Sequence, residues 1–190
     1  MSISKTKQAI VDGAILTFSQ NGYNTTMDEI ALAAKVAKGT LYYHFSSKEE
    51  LFNFIIKQGM EKIDADVQSA TQDESDLITR IHILARVQLE LVYDNHDFFR
   101  VIMSQLWGIE KRQEELRVQM KNYIHHISTY FQTAIDANII SSNNAELLAY
   151  SFIGLLTGTA IYELSTGRPK PIDDVVDQII NSCLNGILVK

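Results

Sequence analysis

The sequence predicts an all-α fold of about nine helices, and three observations carry that prediction. Apolar residues recur three and four apart almost from end to end, the spacing that lines one side of a helix. The chain has only 2 prolines in 190 residues, and both fall in the single stretch "TGRPKPIDD", so nothing interrupts the helical pattern elsewhere. Ser/Thr-x-x-Glu patterns stand where helices should begin, and no segment alternates with a strand's period of two.

The first helix reads from about residue 5 to 20, with Ile10, Ala14 and Phe18 one turn apart and Val11 and Ile15 widening the stripe. It stops at Gly22, a residue able to take the left-handed conformation that ends helices. A second opens at "TTMDEIALAA", where Thr26 and Glu29 form a capping box and Ile30, Ala33 and Ala34 make a low-bulk face that permits close helix crossing. The third, about 38–45, is too short to stand alone in water and must be held by neighbours. "SSKEEL" then supplies a second box, Ser47 with Glu50, for a long helix running towards Ser69. Helices follow at about 75–94, 97–106, 110–137, 144–164 and 172–188. The segment "DLITRIHILARVQLELVYD" is apolar on nearly every side and belongs at a domain centre.

Composition narrows the function. A single cysteine, Cys183, excludes internal disulfides and multi-cysteine metal sites; beside apolar residues it reads as a packed thiol. The N-terminus lacks a signal-peptide core, and the longest uncharged run, residues 147–162, is short for a membrane span, so a cytoplasmic protein is expected. No glycine-rich phosphate loop, nucleophile elbow or metalloprotease histidine pair is present, and neither an enzyme nor a cofactor is expected. Adjacent His125 and His126 point about 100° apart, so metal binding is not expected. The net charge is −6, yet residues 1–50 hold five lysines and five carboxylates that cancel, leaving the whole excess beyond them. A neutral head on an acidic body can meet a polyanion through its local field.

The third helix makes that partner concrete. A helical projection puts Leu41 and Phe45 on the core side, with Gly39, Thr40 and Tyr43 opposite. Tyr42 and His44 fall on the flanks and Lys38 in the first turn. A major groove admits one helix; Gly39 would let the backbone approach, Thr40 and Tyr43 would reach base edges, and Tyr42, His44 and Lys38 would meet phosphates. Free amides at the starts of the second and fourth helices, beside Thr26 and Lys48, add anion sites.

The stretch "TTMDEIALAAKVAKGTLYYHFSSKEELF" resembles the DNA-binding signature of the TetR (tetracycline-repressor-like) transcriptional regulators, and the likeness covers about residues 5–60. It implies a homodimer with a DNA-binding domain over 1–47, its helix-turn-helix at about 27–46, and a ligand-binding and dimerisation domain over 48–190. By position it implies DNA contacts at Thr26, Lys38, Gly39, Thr40, Tyr42, Tyr43, His44 and Lys48. Two departures stand out: Lys35 replaces the usual turn glycine, and Ala37 the serine that often caps the recognition helix.

Beyond residue 60 the likeness rests on helix count and order. Gly154 and Gly158, four apart, let another backbone come close, either inside the fold or across a dimer interface made by the last two long helices, about 144–164 and 172–188. Arg86, Trp107, Tyr123, His126 and Tyr130 are candidates for holding a small apolar or aromatic effector, combining apolar walls with polar tips. The expected function is a ligand-responsive repressor that binds a roughly palindromic double-stranded operator as a homodimer and leaves it when the effector binds. Two alternatives stay open: a constitutive dimeric DNA binder without effector, and a small-molecule carrier or enzyme with a vestigial head.

Overall fold

The structure, a computed structural model, describes residues 3–166 and 171–185. Among these residues it contains nine α-helices and one 3₁₀ turn, and no strand. The helices are α1 (Lys5–Asn21), α2 (Met27–Ala33), α3 (Lys38–His44), α4 (Lys48–Thr71), α5 (Leu77–Asp94), α6 (His96–Gln105), α7 (Lys111–Asp136), α8 (Ala145–Thr166) and α9 (Ile172–Asn185). The expected loop around Pro169 lies largely outside the described residues, as does the expected end of the last helix beyond 185.

Two compact units form. The first comprises Met1–Glu61 with Asn95–Met120, and the second Lys62–Asp94 with Lys121–Lys190. In the first, Ile10, Ala14 and Phe18 of α1 are sealed against Ile30 of α2 and Leu41 of α3, none more than 2% exposed. Burying side chains of this size is worth about 1.5–3 kcal/mol each, which is what holds a seven-residue helix such as α3 in place. A Cβ on Gly13 would come 2.7 Å from the Ala34 backbone, so the close crossing expected of the α2 face depends on Gly13 opposite it. α6 joins this unit rather than standing apart: Ser19 donates to Asp97 at 2.8 Å, and the Phe98 ring occupies the space a side chain at Gly59 would need.

The boundaries carry the local chemistry. Gly22 ends α1 with φ 70 and ψ −171, positive as expected but in the mirror-extended region rather than the left-handed helical one. The capping box at Thr26 is complete in both directions. The second box is altered: the Glu50 amide donates to Ser47 Oγ at 3.1 Å, but the Glu50 carboxylate accepts from the amide and hydroxyl of Ser46. Lys35 adopts φ 55, the left-handed turn position that favours glycine, and Ala37 caps α3 with no side-chain bond.

In the second unit α5 packs against α8 and α9. Of its residues only Thr79, Arg86 and Asp94 are exposed, in keeping with its apolar circumference. Phe131 of α7 meets Phe152 of α8 edge to face at 5.4 Å. Two expectations change here. Cys183 is exposed on α9 rather than packed. The 22-residue α8 is long and apolar enough by length and composition to cross a membrane, although the uncharged run alone is not.

Candidate nucleic-acid interface

A sealed apolar side fixes the orientation of α3, which has no side-chain cap at its start. Leu41 is 0% and Phe45 1% exposed, which turns the opposite face outward: Tyr43 is 85% exposed, and Gly39 lies open with no atom near the position of a Cβ. Tyr42 is exposed, whereas Thr40 and His44 are half-buried. The His44 ring leans edge-on to Tyr43 at 5.3 Å. The exposed Lys38 ammonium is 2.7 Å from the Asp28 carboxylate, and this hydrogen bond and charge hold its pKa above the ordinary lysine value. Exposed pairs of this kind contribute little to stability, so a phosphate can displace the aspartate.

Thr26 and Lys48 are engaged already. The exposed Thr26 hydroxyl accepts from the Glu29 amide and donates to its carboxylate. Lys48 donates to the carbonyls of Tyr23 and Thr25 at 2.6 and 2.9 Å, with its ammonium 4.5 Å from the centre of the Tyr23 ring. Burial, followed by the charge of Arg112, pulls its pKa down. It acts as a strap across the corner before α2 rather than as a free arm.

Among the five effector candidates, three come together. His126 pairs with Asp64 of α4, and Tyr130, tilted against the His126 ring, shares a 3.0 Å hydrogen bond with Thr71. Tyr123 is 8% exposed, and its hydroxyl is buried without a hydrogen-bond partner; burial, helped by Asp64 and Tyr130, raises its pKa strongly. Arg86 is elsewhere on the second unit, its guanidinium held by Glu90 and Asp173 at 2.9 and 2.5 Å. Trp107 belongs to the first unit and is 86% exposed. The sequence reading missed Asp64 and Thr71. Their seven-residue spacing on α4 matches that of Tyr123 and Tyr130 on α7, a signal legible only once the two helices are known to be neighbours. It also missed Tyr23 and Arg112, whose rings and charges meet only in the folded head.

In the second unit, a groove of about 510 Å³ between α8 and α9 is lined by Gly154, Gly158, Tyr162, Glu163, Val175 and Ile179 among others. Nothing lies within 4 Å of a Cβ placed on either glycine, so the close packing they permit is not used among the described residues.

Comparison with known proteins agrees with this geometry. Residues 10–55 match the family described as bacterial regulatory proteins, tetR family. A Clostridium perfringens protein described as a candidate regulator of fatty acid metabolism is 43% identical, over 96% of this chain and 100% of that one, with a TM-score of 0.90. AibR, solved in complex with isovaleryl coenzyme A and operator DNA, is 23% identical over 93% of this chain and 97% of its own, with a TM-score of 0.76. The Staphylococcus aureus negative transcriptional regulator of the biofilm operon icaADBC, IcaR, is 30% identical over 117 residues, 61% of this chain and 54% of that protein. With the helix-turn-helix head in place and a full-length relative this similar, the chain belongs to the tetR family of bacterial regulatory proteins and is a DNA-binding transcriptional regulator.

Proposed function

We propose that this regulator represses transcription as a cytoplasmic homodimer, sets two copies of α3 into successive major grooves of a roughly palindromic operator, and releases it on binding an acyl effector. The observation that carries this reading is the outward face of α3, where Gly39, Thr40 and Tyr43 stand opposite the sealed Leu41 and Phe45. On it Thr40 and Tyr43 read base edges while the backbone at Gly39 closes on them; Lys38, Tyr42 and His44 hold phosphates on the flanks. Thr26 and Lys48 meet phosphate at the starts of α2 and α4, Lys48 with the ammonium donor that its bonds to the Tyr23 and Thr25 carbonyls leave over. DNA binding is assigned to residues 1–47, effector binding and pairing to 48–190.

Pairing uses α8 and α9. Leu155, Ile161, Tyr162 and Leu164 of α8 are 40–59% exposed, and the open backbone at Gly154 and Gly158 accepts a partner helix closely. The effector meets Tyr123, His126 and Tyr130, where a buried hydroxyl lacking a partner offers a polar handle. Its class, a fatty acid or an acyl-coenzyme A thioester, follows the names of the relatives above, and it acts by preferring a conformer whose head spacing no longer fits the operator. Arg86, paired with Glu90 and Asp173, and the exposed Trp107 stand as candidates for further contacts with it. Selection from a random duplex pool, followed by competition with fatty acids and acyl thioesters of graded chain length, tests both halves. A two-fold symmetric motif and an affinity lowered by one length range are expected; no enriched motif removes the DNA assignment, and indifference to every acyl compound removes the effector.

A further inference from the structure

The Tyr23 ring is a meeting point for two cations. It sits in the corner between α1 and α2, stacked on Phe18 at 5.7 Å and edge-on to Phe52 at 5.4 Å, so its position is set by the head's core. Lys48, from the start of α4, lies 4.5 Å from its centre while donating to the carbonyls on either side of Asn24. Arg112, in the first turn of α7, brings its guanidinium carbon to 3.6 Å from the same centre. The Arg112 side chain is only 10% exposed and pairs with Glu110; one terminal nitrogen donates to Gln105 at 3.3 Å, and its Nε is buried without a partner. A guanidinium so desolvated is held by the ring face together with Glu110 and Gln105, and burial is the setting in which cation–π attraction is strongest. Its charge also bears on Lys48, whose pKa it helps depress. The two like charges share one ring, and each limits where the other can go.

We propose that Arg112 is a positioning residue for DNA binding: stacked on Tyr23, it keeps Lys48 on the Tyr23 and Thr25 carbonyls and thereby fixes the start of α2 against the phosphate backbone. This rests on the reading of Thr26 and Lys48 as phosphate contacts. A residue outside residues 1–47, touching no DNA itself, then sets the head's affinity.

The test uses the full-length protein and a duplex selected from a random pool by the wild type, with affinity measured against salt and the thermal midpoint recorded beside it. Arg112→Met, which keeps the stem and removes the charge and plane, is expected to lose affinity roughly tenfold with a midpoint close to wild type. Tyr23→Leu should behave alike, Tyr23→Phe like wild type, and Arg112→Lys should recover most of the loss. Adding Lys48→Met to Arg112→Met should cost less than the product of the two single losses, a coupling that simple loss of packing would not produce. Wild-type affinity in Arg112→Met, multiplicative losses in the double variant, or failure of Arg112→Lys to rescue would each overturn the proposal. If Lys48→Met alone binds like wild type, the underlying phosphate reading fails instead, whatever Arg112 does.

Discussion

At the scale of single residues, stability and function part company on α3. Gly39 occupies an exposed helical position with open space around its missing Cβ, so Gly39→Ala should raise stability by about 0.5–1 kcal/mol. The same methyl would stand between backbone and base edges, and operator affinity should fall; thermal melts alongside gel-shift titration would read both. A variant that gains stability and keeps its affinity would show that nothing approaches this backbone. Lys35 gives the reverse case: its φ of 55 is strained for a residue with a Cβ, and Lys35→Gly should stabilise the turn by about 1 kcal/mol in chemical denaturation. Both positions were legible in the sequence, because a recognition helix and a tight turn place local demands on the backbone. The engagement of Lys48 was not. Its partners are carbonyls of residues 23 and 25, and a carbonyl carries no sequence signature.

Among the elements, caps were read more accurately than packing, since a cap is closed by residues three apart while a packing partner can lie anywhere in the chain. The box at α2 shows what this implies for pH. Glu29 is held below its ordinary value of 4.5, first by the Thr26 amide, then by the Thr26 and Thr25 hydroxyls. Because the folded value is the lower one, its stabilisation is complete above the unfolded value and disappears as pH falls through the folded value. Glu50 and Asp76, lowered by hydrogen bonds from Ser46 and Thr79, act in the same direction. The thermal midpoint should therefore drop on acidification below about pH 4.5, and Glu29→Gln should flatten part of that slope. A midpoint with unchanged acid dependence in Glu29→Gln would remove the cap from the account. α4 was equally visible as a helix, but its carboxylate reaches Ser46 instead of the expected Ser47, a one-residue difference that pattern alone does not resolve. Tyr123, His126 and Tyr130 were among the expected effector contacts; Asp64, which completes their cluster, has no marker in the sequence.

For the whole molecule, the sequence revealed the helix count and the outward face of α3, but left open whether Gly154 and Gly158 pack inside the fold. The open space beside both favours a partner. Gly158→Leu should leave the single chain folded, with helicity at or above wild type, yet convert a dimer to a monomer in sedimentation and weaken operator binding sharply. A dimer that persists in this variant would place the interface elsewhere. The division by packing also differs from the division by expected role, because α6 and the first turns of α7 are built into the same unit as α1, α2 and α3. That was illegible beforehand because Gly59, Phe98, Ser19 and Asp97 interlock only through space.

The exposed apolar side chains of α8 have a consequence for newly made chains. Leu147, Leu155, Ile161 and Leu164 lie open on the single chain, a surface prone to clumping until something covers it. Should the pairing proposed above hold, coverage of this surface would follow encounters between subunits more steeply than it follows synthesis.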